Sequence, residues 1–368
     1  MSPRYSSLRL AVSLLVVLSP TIGLCSGQSL FQATQVVNPD AEGTNAIVTG
    51  HFNADTHLDF TVSTGNSRIS VFLGNGNGTF NYVGFYGAGS GPYGLTVGDF
   101  NGDTKKDLAV ANELGNSVSI LLGSGTGTFT TQPEIPAGDT PRYLVAADLN
   151  GDGKADLAAA NQFSDNVSVL LGNGNGTFQP QVTYPVDLLP RGIVSADFNS
   201  DSKPDLAVAT RTGASLSLLI GNGDGTFQPQ IVLPINNLGR PSPLVTGDFD
   251  ADGKADLVVG ADASRSVSVN LGHGDGSFDP SIQYLTSPQM GSPVDIAKGN
   301  FNGDGAPDLV SAEYFTNIAS VLLGVGNGSF APHLTFPSGF TNPIAPIAVA
   351  TGDFNSDGFD DVVLGRES

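Results

Sequence analysis

The chain repeats one pattern of apolar and polar positions along most of its length. A short apolar run such as LAVAN (108–112) precedes an alternating run such as SVSILLG (117–123), and a glycine string such as GNGNGTF follows. Alternation in short runs between Gly, Asn and Asp clusters predicts antiparallel strands joined by hairpins. No segment shows sustained helical spacing, so the pattern predicts an all-β chain.

An acidic nine-residue motif precedes each apolar run. We call its seven copies acidic loops 1 to 7: HFNADTHLD (51–59), DFNGDTKKD (99–107), DLNGDGKAD (148–156), DFNSDSKPD (197–205), DFDADGKAD (248–256), NFNGDGAPD (300–308) and DFNSDGFDD (353–361). Successive copies start 48 to 53 residues apart. A period near fifty is typical of propellers and solenoids.

The elements of each repeat predict about four strands. Four-stranded units arranged around an axis form a β-propeller, whereas the repeats of a linear β-solenoid are usually shorter. The last unit stops soon after its second strand, and SLFQATQVV (29–37) matches the end of a unit. We therefore predict a seven-bladed β-propeller of four-stranded antiparallel blades, with the last blade shared between the N- and C-terminal segments. The alternating strand, which is SVSILLG (117–123) in the second unit, has no copy in this shared blade. Either the shared blade has three strands or the chain is part of a longer protein.

The N-terminus has the pattern of a secretory signal peptide. Arg4 and Arg9 precede the apolar run LAVSLLVVL (10–18), and small residues follow. Nine apolar residues are too few to span a bilayer as a helix. We predict a signal peptide at 1–27, cleaved near 25–28, and one propeller domain at 28–368. A buried N-terminal helix is the less favoured alternative, as is a lipid anchor at Cys25, because Leu24 is bulky for that processing site.

Composition narrows the class of partner. The chain has 15 Lys and Arg against 35 Asp and Glu, a net charge of −20. Since a nucleic-acid-binding protein needs a basic surface, this balance argues against a nucleic-acid partner. No later segment is apolar enough to span a membrane, and a single Cys excludes a disulfide within the chain. We expect a secreted protein.

The acidic loops have the composition of calcium sites. Positions 1, 3, 5 and 9 carry oxygen-bearing side chains, position 7 offers a backbone carbonyl, and calcium takes six to eight oxygens at about 2.3–2.6 Å. Glycine at position 6 in four copies fits a turn with positive φ. The alternative is an Asx-turn hairpin without metal, which a single copy would leave equally plausible. An EF-hand is excluded, because position 12 lacks glutamate and the flanks are strands.

Six of the loops provide the predicted metal ligands, and loop 1 is the weakest because of His51 and Thr56. The candidate ligands are Asp99, Asn101, Asp103, Asp107, Asp148, Asn150, Asp152, Asp156, Asp197, Asn199, Asp201, Asp205, Asp248, Asp250, Asp252, Asp256, Asn300, Asn302, Asp304, Asp308, Asp353, Asn355, Asp357 and Asp361. Loop 5 is the most acidic. Thr104 and Ser202 replace the glycine at position 6, at a cost of about 1 kcal/mol in a left-handed turn.

The combined pattern GDFNGDGKxDLAVAN…VSVLLGNGxGTF resembles the FG-GAP/VCBS repeat, as in the N-terminal propeller of integrin α-subunits and many secreted bacterial proteins. The resemblance covers about residues 29–368. It implies a seven-bladed propeller with structural Ca²⁺ between the first two strands of the blades. It also implies a role in adhesion or recognition, although some such propellers lie beside or within carbohydrate-active enzymes. His51 and Asn300 depart from the pattern.

Recognition residues are expected where the repeats differ. Just after the repeat proline, where the innermost strand starts, the chain carries Tyr93, Arg142 and Arg191. We predict that these three contribute to a ligand surface for an acidic group or a sugar face, ordinary loop variation being the alternative. No nucleophile elbow or zinc spacing occurs. The sequence therefore favours a noncatalytic module that binds an extracellular protein or glycan, with a polysaccharide lyase, hydrolase or lectin as the alternative.

Overall fold

The computed structural model describes residues 43–366 except 213, 236–238, 262–263, 288–290 and 339–344, and it describes the backbone of 15–20 and 31–37. Every regular element in this part of the chain is a β-strand. Two strands come first, β1 (Leu15–Pro20) and β2 (Phe31–Val37). The predicted cleavage site and Cys25 lie outside the described residues.

Six blades follow, each built from consecutive strands of the chain. Blade 1 contains β3 (Thr44–Gly50), β4 (Asp59–Thr64), β5 (Arg68–Gly74) and β6 (Phe80–Gly87). Blade 2 contains β7 (Pro92–Gly98), β8 (Asp107–Asn112), β9 (Ser117–Gly123), β10 (Phe129–Thr131) and β11 (Ile135–Pro136). Blade 3 contains β12 (Pro141–Ala147), β13 (Asp156–Asn161), β14 (Asn166–Leu170) and β15 (Val182–Pro185).

The next three blades repeat this arrangement. Blade 4 contains β16 (Pro190–Ala196), β17 (Asp205–Thr210), β18 (Ser215–Leu219) and β19 (Ile231–Pro234). Blade 5 contains β20 (Pro241–Gly247), β21 (Asp256–Ala261), β22 (Ser266–Asn270) and β23 (Ile282–Leu285). Blade 6 contains β24 (Pro293–Gly299), β25 (Asp308–Glu313), β26 (Ile318–Leu322) and β27 (Leu334–Pro337).

A terminal sheet joins the two ends of the chain. It contains β28 (Pro346–Gly352) and β29 (Asp361–Arg366) from the C-terminal side, and its order is β2-β1-β29-β28. Strand β1 pairs antiparallel with β29, from Leu15 opposite Gly365 to Leu18 opposite Val362. Strand β2 is the outermost strand of this sheet. This agrees with the prediction that residues 29–37 match the end of a repeat unit and belong to the last blade.

The prediction of a seven-bladed propeller is wrong in its count, because the structure has six blades built from consecutive strands and a separate terminal sheet. Six blades are each one continuous stretch of chain, and the terminal sheet takes two strands, not one, from the N-terminal segment. A three-stranded terminal sheet is wrong, because Leu15–Pro20 occupies the third position. This strand comes from the apolar run that the sequence assigned to a signal peptide. A β-strand and a signal-peptide core both need a short apolar segment, so the apolar run alone does not distinguish between them.

The innermost strands form a closed ring around a central channel. Each contacts the next in the order β3, β7, β12, β16, β20, β24 and β28, and β28 contacts β3. The core lies between the faces of neighbouring sheets, where each pair shares an apolar cluster. The second strand of every sheet is buried along its whole length, for example Asp107–Asn112. That burial explains why these strands read as continuous apolar runs.

The glycine strings hold neighbouring sheets together. Each string joins the third and fourth strands of its own blade. A glycine N–H in the string donates a hydrogen bond to the position-2 carbonyl of the acidic loop in the preceding sheet of the ring. Gly127 N bonds Phe52 O at 2.8 Å, and Gly78 N bonds Phe354 O at 3.0 Å, which links blade 1 to the terminal sheet. The final phenylalanine packs against the same position, with the rings of Phe129 and Phe52 5.6 Å apart edge to face. The position-2 side chains are therefore buried.

In the part of the chain that is described, there is no helix of the length and apolar character needed to cross a membrane.

Candidate metal centre

Position 9 of each acidic loop is a buried carboxylate that ties the loop to the blade. In loop 2, Asp107 Oδ2 accepts the N–H of Phe100 at 2.8 Å and Oδ1 accepts the N–H of Gly123 at 2.7 Å. Five more loops repeat both bonds, at Asp59, Asp156, Asp205, Asp256 and Asp308. The sequence did not reveal this role, since the second donor lies sixteen residues away.

That second donor has to be glycine. A Cβ on Gly123 would lie 2.1 Å from the carbonyl oxygen of Lys106, and the equivalent glycines in blades 1 and 3 to 6 meet a carbonyl oxygen at 2.2 Å. Such a contact cannot form without moving the backbone. The first glycine of each string is thus fixed by close approach of the chain just before position 9. The sequence carries this signal as a spacing of sixteen residues in blades 2 to 6 and fifteen in blade 1.

Positions 1, 3 and 5 accept hydrogen bonds from the loop's own backbone. In loop 3, Asp148 Oδ2 accepts the N–H of Gly153 at 2.8 Å, and Asn150 Oδ1 accepts that of Asp152 at 2.9 Å. Asp152 Oδ1 in turn accepts the N–H of Lys154 at 3.0 Å. These are the Asx-turn bonds of the metal-free alternative. They occupy only some of the lone pairs of each oxygen, so the loop geometry is compatible with either interpretation.

The turn at position 6 is left-handed, as predicted. Gly153 and Gly253 have φ of 80° and 82°, while Thr104 and Ser202 are held at 67° and 64°. Thr56 of loop 1 is not among the residues with positive φ, so loop 1 takes a different turn.

In loop 5 three carboxylates converge as a cation site requires. Asp248, Asp250 and Asp256 each offer an oxygen, and these atoms all lie within 4.8 Å of one another. Among the described residues this is the one group of three or more His, Cys, Asp or Glu with that property. Three anionic oxygens on a tight loop fit a hard divalent cation such as Ca²⁺. The most acidic loop in the sequence therefore has the geometry closest to a metal site.

The pKa values of the carboxyl groups in loop 5 also fit a cation site. Burial raises the pKa of Asp256 to about 6, and the neighbouring Asp250 and Asp248 carboxylates raise it further. Burial also raises the pKa of Asp250, with Asp252 and Asp248 adding to the effect. A bound cation would offset this repulsion.

A lysine at position 7 partly neutralises four of the loops. Lys254 Nζ lies 2.9 Å from Asp252 Oδ2, and the hydrogen bond that it donates lowers the pKa of Asp252. Equivalent pairs join Lys105 to Asp103, Lys154 to Asp152 and Lys203 to Asp201. These contacts are exposed, so each contributes little stability. They place a competing cation beside one predicted calcium ligand.

The repeat matches a known family along most of the chain. Models of the FG-GAP-like repeat match residues 51–110, 99–159, 150–208, 197–259, 248–311 and 300–364. The chain belongs to the FG-GAP-like repeat family. Each matched FG-GAP-like unit begins at the start of an acidic loop or, for residues 150–208, within one. No curated protein matches the sequence.

Solved structures share the fold of this FG-GAP-like protein. An Agrocybe aegerita lectin that recognises non-reducing terminal N-acetylglucosamine is 18% identical, with a TM-score of 0.59 over 95% of this chain and 94% of that one. A periplasmic gluconolactonase of Pseudomonas aeruginosa is 14% identical, with a TM-score of 0.63 over 89% and 96%. A Lactobacillus plantarum protein is also 14% identical, with a TM-score of 0.63 over 88% and 96%. At these identities the likeness shows the propeller fold alone.

Tyr93, Arg142 and Arg191, the residues predicted to form a ligand surface, lie near the starts of innermost strands. The acidic loops follow the other ends of these strands. The Arg142 guanidinium carbon lies 4.1 Å from the centre of the Tyr93 ring. Arg142 Nη1 also bonds Glu113 Oε1 and Gln162 Oε1, both at 3.1 Å. Arg191 Nη1 lies 3.4 Å from Ser242 Oγ of the next blade. Tyr93 and Arg142 are therefore in contact, and the arginines also join neighbouring blades, a role that the sequence did not indicate.

Proposed function

We propose that this protein is a noncatalytic recognition module whose rigid scaffold is stabilised by Ca²⁺ in the acidic loops. The observation that carries the proposal is the division of the molecule into two ends. One end repeats the same loop in every sheet, and the other end carries side chains that differ from blade to blade. A constant scaffold with variable residues at one end is typical of binding proteins.

The calcium part of the proposal is supported best in loop 5. There Asp248, Asp250 and Asp256 converge, and a cation would supply the charge that compensates them. Such an ion would stiffen the connection between the first two strands of blade 5. The other loops offer the same donor types, and positions 1, 3, 5 and 9 would provide their ligands. Asn300 and His51 remove an acid from loops 6 and 1, which we expect to bind most weakly.

We also propose that the terminal sheet serves as the seventh blade and that the protein is exported. The basic start and apolar run of residues 4–18 support export. Cleavage near 25–28 would remove β1, so a cleaved protein could not retain the four-stranded sheet. The mass of the N-terminal peptide of the exported protein decides which form is the mature one.

An extracellular glycan or protein is the proposed ligand class, recognised at the end that carries Tyr93, Arg142 and Arg191. The lectin among the structural neighbours makes a glycan the first class to examine. The gluconolactonase neighbour makes a carbohydrate-active enzyme the second candidate function.

The test is a glycan and extracellular-protein array probed with the purified chain in millimolar Ca²⁺, together with a lactone hydrolysis assay. We expect binding to a defined ligand class, weakened in an Arg191→Ala variant, and no lactone turnover above a heat-denatured control. Undiminished binding by variants of both arginines would exclude the proposed surface. Lactone hydrolysis by the intact chain would contradict a noncatalytic role.

A further inference from the structure

The central channel contains a cavity lined by all seven innermost strands. Its volume is about 180 Å³, smaller than the usual range of about 300–1,000 Å³ for drug-sized ligands. The walls come mainly from the third and fourth positions of the strands. At the third position most strands carry small residues, such as Ala46 on β3 and Gly192 on β16, whereas β12 carries Tyr143 and β24 carries Asp295.

Asp295 is an isolated carboxyl group in this cavity. Its Oδ2 accepts the N–H of Val349 at 2.9 Å, and its Oδ1 accepts the N–H of Ile296 at 3.0 Å. A carboxylate has about four acceptor positions, so two remain for a ligand. The structure gives it no cationic partner among the described residues. Burial raises the pKa of Asp295 to about 7.

The charged groups near Asp295 are committed elsewhere. On its own strand, Lys298 Nζ bonds Thr246 O at 2.7 Å. On β25, Glu313 Oε1 accepts the Ser311 hydroxyl at 2.6 Å, and Asp308 holds acidic loop 6. Of the other strands that contact β24, β20 and β28 contain no charged residue. Strand β21 contains Asp256, whose carboxylate holds acidic loop 5.

Tyr143 is the other polar side chain in the cavity. Its ring packs edge to face on the ring of Tyr93, with 5.4 Å between the ring centres. Burial raises the pKa of the Tyr143 hydroxyl well above its usual range, and Tyr93 and Asp295 raise it further, while the Arg142 and Arg191 guanidinium groups lower it. The cavity thus offers one carboxylate, one hydroxyl and one aromatic ring between apolar walls.

We propose that the central channel is a binding site for a primary ammonium group on a small, largely apolar body, held by the Asp295 carboxylate and the Tyr143 hydroxyl. An ammonium group donates three hydrogen bonds and supplies the charge that Asp295 lacks. The apolar body fits against Ile47, Leu95 and Val349. The ligand is a free amine or the end of a lysine side chain. The site is independent of the acidic loops, so it stands whether or not they bind Ca²⁺.

The experiment is a titration of the full chain with butylammonium at pH 8, in which calorimetry and protein NMR detect binding. Butanol is the matched neutral probe, and the amine stays protonated at this pH. We expect butylammonium to bind about tenfold or more tightly than butanol, because one charge-assisted hydrogen bond increases the affinity by about that factor. Binding should weaken below pH 7 as Asp295 takes up a proton. Nα-acetyl-lysine amide, with its Nε-acetylated form as control, tests whether a side chain reaches the site.

Two variants and one control locate the site. Asp295→Asn should weaken butylammonium binding by about tenfold or more, and Tyr143→Phe, which keeps the ring, should weaken it less. Asp139→Asn removes an exposed carboxylate outside the cavity and should leave the affinity unchanged. Equal affinity for butanol and butylammonium would overturn the proposal, and so would no binding by the folded wild-type chain. If Asp295→Asn fails to fold, an unchanged affinity in Tyr143→Phe would be the contrary result.

Discussion

At the scale of single residues, the acidic loop has two functions that its composition alone does not separate. Position 5 is exposed, positions 1 and 3 are mostly half-buried, and all three shape the turn. Position 9 is buried and bonds two backbone N–H groups from different parts of the blade. Leaving those donors unpaired in the interior would cost about 1–3 kcal/mol each. Position 9 is therefore required for the fold whether or not an ion is bound.

The glycine that donates to position 9 gives the first test. Gly123→Ala places a Cβ 2.1 Å from the Lys106 carbonyl oxygen, so we expect the free energy of unfolding to fall by about 2 kcal/mol or more. Gly87→Ala is the matched control, because nothing lies within 4 Å of its Cβ. Urea unfolding of both variants measures the difference. Equal stability of the two variants would show that the close approach is not present.

Asp295 gives a pH test at the same scale. Its pKa is about 7 in the folded chain and about 3.9 when unfolded, so the folded state binds more protons between these values. Stability from this group is complete below pH 4 and is lost as the pH rises through 7. In EDTA we expect the free energy of unfolding to fall less between pH 5 and 8 in Asp295→Asn than in the wild type. Parallel pH profiles would contradict the raised pKa.

At the scale of elements, much could be predicted from local pattern. The apolar second strands, the hairpin glycine strings and, in loops 2 to 7, the left-handed position 6 depend on neighbouring residues, and all are found. What sequence reasoning missed depends on distant partners. Gly123 lies sixteen residues from Asp107, Arg142 bonds Glu113 of another blade, and β1 pairs with β29 at the far end of the chain. No local pattern identifies such partners.

The terminal sheet supplies the test at this scale. A chain that starts at Gln28 loses β1, which pairs with β29 through Leu15–Leu18. We expect it to melt a few degrees below the full chain, because β29 is left with an open edge and less apolar contact. Differential scanning calorimetry of the two chains makes the comparison. Identical melting temperatures would mean that β1 contributes nothing to the sheet.

At the scale of the whole molecule, the strands form a closed ring whose two ends differ in their residues. The acidic loops and glycine strings link each sheet to the next at one end, and the other end carries the variable side chains. The net charge of −20 is concentrated in the loops, where 20 of the 35 acids occupy positions 1, 3, 5 and 9. Bound divalent cations would lower the resulting repulsion and stabilise the folded ring.

The most direct measurement is calorimetric melting of the chain in millimolar Ca²⁺ and in EDTA, with the stoichiometry of Ca²⁺ binding from titration. We expect a higher melting temperature in Ca²⁺ and several bound ions. We also expect one fewer tightly bound ion in Asp250→Asn, but no change in Asp275→Asn, which introduces the residue found at this position in three other glycine strings. An unchanged melting temperature with no bound ion would contradict the account and leave the acidic loops as Asx turns.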